Sequence, residues 1–286
     1  MEPLLYPIRS GAAAGNHNRM DIFDKSAIVA AHPDDENLWF SSVLTKVDSI
    51  VLCFLEVAGM PEWTRGRRQS LAEYPLPNLT CLELDESEVF WGADWEHPGV
   101  TDYGLEIVRG DLSDTLYKDN FERLKQRLRE RLDGCRNVFT HNPWGEYGHV
   151  EHVQVYRAVK ALQQDMHFDL WFTAYVSNKS ARLMSETLAS RDLGRSVTLP
   201  TEKSLATGIA ALYKRHGCWT WYDDYDWSDT DTFILDPEAP AGTPRYGTVA
   251  PLNFIRIEPA PPLSAPNRGL RSRLKAKLKK MLGTKG

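Results

Sequence analysis

The chain has 286 residues, 42% hydrophobic and 26% charged, a balance that fits a globular protein and excludes a disordered, collagen-like or small disulfide-bonded chain. Its formal charge of −5 hides an asymmetry: residues 266–286 hold eight Lys/Arg and no acid, which leaves −13 on residues 1–265 and argues against nucleic-acid binding by the body. No run approaches the ~18 apolar residues of a membrane span, no secretory signal is expected at the N-terminus, and four scattered cysteines, Cys53, Cys81, Cys135 and Cys218, read as reduced thiols of a cytoplasmic protein.

In chain order, residues 1–25 lack periodicity and are expected to form a flexible arm. Apolar runs at Ala27–Ala31, Ile50–Leu55, Asn137–Thr140 and Leu170–Tyr175 are short, continuous and rich in β-branched or aromatic residues, as strands buried on both faces should be. Between them lie amphipathic patterns. Phe121, Leu124, Leu128 and Leu132 form one helical stripe, and His152, Val155, Val159 and Leu162, then Leu205, Ile209 and Leu212, repeat it. Strands alternating with helices predict an α/β fold: an open, mostly parallel, Rossmann-like sheet with helices on both faces. A proline-rich extended stretch with one late strand, Leu252–Ile257, follows, and then a final helix over about 268–282. The expected organisation is an arm (1–25), one domain (26–262) and a basic amphipathic tail (263–286).

Two segments carry chemistry. Ala30-Ala31-His32-Pro33-Asp34-Asp35-Glu36 follows the first strand directly, and ligands in open α/β sheets bind outside the carboxyl ends of strands. Helix capping accounts for one or two of these carboxylates, but not for the histidine beside them. Residues 140–152, Thr-His-Asn-Pro-Trp-Gly-Glu-Tyr-Gly-His-Val-Glu-His, follow another strand, and a helix begins near His149. A single histidine on a helix's apolar face is more often a packed core residue than a ligand. Two at i and i+3, on the face that later carries Val155 and Val159, shift that balance. If the two strand ends are neighbours, His32, one Asp and one His make a three-ligand site with an open position, the pattern of catalytic zinc, although iron, cobalt or manganese also suit such donors.

Together the segments resemble the LmbE-like (PIG-L) family of zinc-dependent N-acetyl-sugar deacetylases. Ala31-His32-Pro33-Asp34-Asp35-Glu36 matches the first signature, and Gly148-His149-Val150-Glu151-His152 matches the second, with Tyr147 before it. The resemblance implies His32, Asp35 and His152 as Zn2+ ligands and Asp34 as general base. It puts His149 near the developing oxyanion as electrostatic stabiliser or general acid, with Tyr147 contributing there, and Glu151 orienting a neighbouring histidine. The cluster Arg65-Gly66-Arg67-Arg68 falls where the family carries a substrate-facing arginine, at a different spacing, and Arg68 is assigned to that role. Trp144, inside the second motif, is expected in the pocket wall.

The function implied is hydrolysis of the acetyl group from an N-acetylated amino sugar, free or nucleotide- or lipid-linked, in glycoconjugate or polysaccharide biosynthesis. The alternatives are a zinc amidase acting on another acyl conjugate and a non-catalytic sugar-binding relative; an intact Asp34 argues against the latter. Trp219–Trp227 concentrates three of nine tryptophans, suited to stacking on a sugar or, more simply, to packing a loop on the sheet. In the tail, Leu270, Leu274, Leu278 and Met281 share one face among basic residues. That pattern fits peripheral contact with a membrane's inner face, a partner, docking on the acidic body, or a solvated helix.

Overall fold

A computed structural model describes residues 22–189, 195–236 and 251–257. In chain order the elements are β1 (Ser26–Ala30), α1 (Asp35–Trp39), β2 (Ser49–Glu56), α2 (Pro61–Ala72), β3 (Leu79–Asp85), β4 (Val100–Thr101), β5 (Gly104–Leu105), α3 (Thr115–Arg131), β6 (Asn137–Thr140), α4 (Val150–Met166), β7 (Asp169–Thr173), β8 (Tyr175–Ser177), α5 (Ala181–Ala189), β9 (Ser196–Pro200), α6 (Lys203–Arg215), β10 (Thr230–Asp236) and β11 (Asn253–Ile255).

Seven strands form the main sheet in the order β3-β2-β1-β6-β7-β10-β9. The first five are mutually parallel, while β10 runs antiparallel to both β7 and β9. The expected open, mostly parallel α/β sheet is what forms. The alternation along β1 shows why both faces are covered. Ala27, Val29 and Ala31 enter one core with α3 and α4 (Leu124, Leu128, Val155, Val159), whereas Ile28 and Ala30 enter the other with α1, α2 and α6 (Leu38, Trp63, Ile209, Tyr213). β1, β2, β6 and β7 are almost wholly buried, so their sequences read as continuous apolar runs.

The winding order decides where a site can form. From β1 the chain builds outward through β2 and β3, then returns to lay β6 on the other side of β1. The carboxyl ends of β1 and β6 therefore diverge at a topological switch point, where connections leave toward opposite faces and a crevice opens. Both motif segments begin there.

Several elements differ from the sequence expectation. The helix expected from about Glu36 is the single turn Asp35–Trp39, and α2, β3, β9 and β10 carry too little apolar periodicity to stand out. The late strand exists as β11, paired in parallel with β8. At the N-terminal side, Phe23 stacks on Phe139 at 6.0 Å, so the packed body already includes residues assigned to the arm. The helix at 268–282 and the rest of the tail lie outside the described residues. Among the described residues, no helix is long and apolar enough to cross a membrane.

Candidate active site

The turn after β1 sets the first group of side chains. Asp34, the residue before α1, holds φ 105°, a left-handed conformation uncommon for a residue with a side chain. Such conformations cost on the order of 1–3 kcal/mol and persist where the surroundings enforce them. The enforcement is visible: the Asp34 N–H donates to Glu36 Oε2 (3.0 Å), while Asp34 Oδ2 accepts from the Thr220 N–H (2.9 Å) and hydroxyl (2.5 Å). Glu36 is in turn held by the hydroxyls of Tyr74 and Tyr213. Burial, reinforced by neighbouring Asp35, pushes the Asp34 carboxyl up to about 7 although Thr220 and Arg67 oppose the rise.

The loop after β6 sets the second group. Asn142 anchors it by donating to the carbonyls of Thr173 (3.1 Å) and Tyr175 (2.8 Å). Gly145 turns the chain at φ 67°, and a Cβ there would meet the His149 carbonyl at 2.5 Å, so no larger residue fits. His149 then caps α4: it sits in an extended conformation and its Nδ1 accepts from the Glu151 N–H at 3.2 Å. His152 follows on the first turn.

The two constellations meet at one oxygen. Asp35 Oδ2 lies 2.9 Å from His32 Nδ1 and 3.0 Å from His152 Nε2, and it accepts the His32 N–H as well. The opposite nitrogen of each ring faces another carboxylate. His32 Nε2 is 2.9 Å from Glu151 Oε2, and His152 Nδ1 is 2.7 Å from Glu146 Oε2. If those outer nitrogens carry the protons, both inner nitrogens turn lone pairs toward one carboxylate oxygen. His152 Nε2 fits this: it is buried and makes no directed hydrogen bond despite its 3.0 Å approach. Positive charge is therefore required among the three groups, as protons or as a cation. With protons alone, burial opposes the charge but Glu86, Asp35 and Glu151 push His32 up to about 10, and Asp35 and Glu146 raise His152. Burial likewise opposes ionisation of Asp35, yet His152 and His32 hold it well below the usual carboxylate range.

This donor set fits a divalent ion. Two imidazoles whose outer nitrogens are held by carboxylates, converging with a third carboxylate, form the arrangement that orients metal-binding histidines. Donor atoms of His32, His149 and His152 also lie within 4.8 Å of one another, as do those of Asp35, His141 and His152. His141 is already committed, since its Nε2 accepts from the Ala31 N–H at 2.8 Å and its Nδ1 meets Glu146 at 3.0 Å. His149 is committed at Nδ1 by its cap, which leaves Nε2 to carry the proton of a neutral ring. Burial together with His152 and His32 holds this imidazole well below its ordinary value, so at neutral pH it is a hydrogen-bond donor.

A cavity of about 160 Å3 opens over these groups, and Asp34, Tyr147, His149, Arg67, Glu86 and Trp221 are among the residues that line it. Tyr147 stands edge-on to His152 at 5.3 Å, and burial beside Asp35 and Asp34 keeps its hydroxyl protonated.

Two assigned residues fall elsewhere. Arg68 is exposed and pairs with Glu56 and with Glu83 (2.8 Å); its neighbour Arg67 lines the cavity instead, buried, donating to Glu86 (2.6 Å) and the Leu55 carbonyl (3.1 Å). Trp144 is fully buried outside the cavity, packed edge-on against Phe172 at 5.5 Å with Nε1 donating to the Tyr175 carbonyl. It wedges the motif loop onto the sheet.

Four participants were not anticipated. Glu146 receives His141, His152, the Asn142 N–H and the Thr173 hydroxyl. Glu86 and Ser87 arrive from the end of β3, and Ser87 binds Glu151 through N–H and hydroxyl, both at 2.6 Å. Thr220 comes from the aromatic run. A usable signal existed for the β3 pair: acids clustered after an alternating segment, Leu79–Asp85, mark another strand's carboxyl end.

The family profile PIG-L, described as GlcNAc-PI de-N-acetylase, matches residues 27–163. No curated protein matches the sequence. Among solved structures, a deacetylase of teicoplanin biosynthesis in complex with teicoplanin is similar at 12% identity and TM-score 0.46, covering 73% of this chain and 97% of that one. The zinc-inhibited form of teicoplanin deacetylase is similar at 12% identity and TM-score 0.47, covering 73% and 98%.

Proposed function

We propose that the chain, whose residues 27–163 match the PIG-L family profile, hydrolyses the acetamide of an N-acetylated amino sugar, using zinc held by His32, Asp35 and His152. The observation that carries this reading is the shared Asp35 oxygen between two carboxylate-backed imidazoles, with a second carboxylate, Asp34, one residue away and held by Thr220 rather than by either imidazole. Imidazole and carboxylate donors suit zinc. The chemistry a bound zinc ion supplies is Lewis acidity toward the amide carbonyl and the attacking water.

The protein's own groups divide the remaining work. Asp34, oriented by Thr220, accepts a proton from the water as its oxygen bonds to the carbonyl carbon. His149 donates from Nε2 to the carbonyl oxygen as negative charge gathers there, and the protonated Tyr147 stands beside it. This favours the electrostatic role for His149 over proton transfer. Asp34 then returns its proton to the nitrogen as the carbon–nitrogen bond breaks, giving acetate and a free amine. Glu146 and Glu151 fix the two ligand rings, and Arg67 and Glu86 line the substrate's approach. The four free cysteines agree with a reducing compartment such as the cytoplasm.

The test is acetate release by the zinc-loaded protein from free, nucleotide-linked and lipid-linked N-acetylhexosamines. Release from at least one supports the reading. No release from any of them by stoichiometrically loaded protein would turn the assignment toward a different acyl amide.

A further inference from the structure

The inner cavity is small for its task. Ligand pockets usually enclose roughly 300–1,000 Å3, whereas the space over Asp34 and His149 measures about 160 Å3. The rest of any substrate must leave over one wall. Trp221 forms that wall, packed edge-on against Tyr147 at 4.8 Å and Trp39 at 5.2 Å. On its other side a second pocket of about 410 Å3 begins, which Trp221 also lines. The two together reach the usual size.

The outer pocket has a definite chemistry. Tyr222 and Tyr225 stand edge-on to Trp221 at 5.2 and 5.9 Å, and Phe254 on β11 completes the wall. Phe254 is 64% exposed and Tyr222 44%, two of only five large hydrophobic residues this exposed among the described residues. Aromatic surface left to solvent in one place marks a recognition site. Asn253 and Arg256 supply polar groups at the same pocket. Asn253 is fixed by donating to the Ser228 hydroxyl and the Thr230 carbonyl, both at 2.9 Å, which leaves its Oδ1 as an acceptor.

Aromatic faces beside amide and guanidinium groups match a pyranose ring, apolar on its C–H face and hydroxylated at its edge. An acyl chain would desolvate Asp226 and Arg256 without replacing their hydrogen bonds. A phosphate finds no cationic surplus among the described residues, because Asp226 lines the pocket beside Arg256, and Lys203 and Lys214 are paired with Asp226, Asp229 and Asp223. We infer that the pocket beyond Trp221 binds a second, uncharged sugar ring, so that the preferred substrate is an N-acetylated disaccharide or longer glycan rather than a nucleotide- or lipid-linked monosaccharide. The inference rests on the deacetylase reading and specifies its substrate.

Calorimetric titration separates the two. Zinc-loaded full-length Asp34→Asn protein, intended to bind without turnover, is titrated with N-acetylglucosamine, N,N′-diacetylchitobiose, a UDP-linked N-acetylglucosamine and an octyl glycoside of N-acetylglucosamine. Chitobiose should bind about tenfold tighter than the monosaccharide, the contribution of one or two aromatic contacts. Adding Phe254→Ala should remove most of that ratio, and Val108→Ala, at another exposed apolar position outside the pocket, should keep it. Equal affinity for the two sugars, with the wild type deacetylating the monosaccharide, would overturn the outer sugar site and leave the deacetylase standing. Tighter binding of the octyl or UDP compound would overturn it in favour of that carrier. No binding and no turnover of any sugar would refute both readings.

Discussion

Replacing Glu146 with glutamine removes one charge while keeping the shape of the side chain that both His141 and His152 lean on. Glu146 is fully buried, and burial alone would raise its pKa, but His141 and His152 outweigh that and pull it from an ordinary 4.5 to about 2. With each unit worth about 1.4 kcal/mol, the ionised carboxylate stabilises the metal-free fold by about 3 kcal/mol at neutral pH. Because the folded value lies below the unfolded one, this stabilisation is complete above about pH 4.5 and fades as pH falls toward 2. At a urea dependence of about 3 kcal/mol per molar, Glu146→Gln should lower the unfolding midpoint of chelator-treated protein by roughly 1 M at pH 7. The gap to wild type should narrow progressively below pH 4.5. Zinc affinity should fall about 10–100-fold, as it does when a carboxylate behind a ligand histidine is lost. An unchanged midpoint at pH 7 and unchanged zinc affinity would refute the claim that Glu146 holds the ligand ring.

The exchange of Arg68 for Arg67 is testable by alanine at each: Arg67→Ala should reduce kcat/KM at least tenfold, while Arg68→Ala, which loses only exposed ion pairs worth ~0–1 kcal/mol, should leave it nearly unchanged. Thr220→Val removes a hydroxyl that favours ionised Asp34, so the acid limb of kcat/KM should move to higher pH; a limb that stays in place would separate Thr220 from the base. Gly148→Ala forces a side chain at φ 91° with its Cβ 2.7 Å from Lys179 Cδ, so a destabilisation of about 1–3 kcal/mol should appear as a lower Tm.

How much of the site is legible in the sequence depends on where each residue sits. His32, Asp35, His149 and His152 follow strands buried on both faces, and such strands announce themselves as short continuous apolar runs. Their carboxyl ends can therefore be located from the residue pattern alone. That β1 and β6 are neighbours follows from the winding reversal, which no local pattern states. Glu146 escapes such a reading because it lies in an irregular loop at φ 44°, where no helix or strand period places it against His141, His152 and the Thr173 hydroxyl of β7. Helix register distinguishes Arg67 from Arg68: Trp63, Arg67 and Leu71 are spaced by four, and Trp63 faces the core. Trp144 misleads because a tryptophan inside a motif reads equally well as pocket wall or as wedge, and only the Tyr175 carbonyl decides. Thr220 is hidden in an aromatic run whose simplest reading is packing. That reading holds for Trp219 and Trp227, both buried, but not for the segment's edge on the cavity.

The division of these residues into base and ligands is decided by measuring zinc content and acetate release together in wild type, Asp34→Asn and His152→Ala. Wild type should bind one zinc and turn over, Asp34→Asn should keep one zinc with turnover lowered about 10²–10⁴-fold, and His152→Ala should lose its zinc. Near-normal turnover by Asp34→Asn, or full zinc occupancy in His152→Ala, would contradict that division.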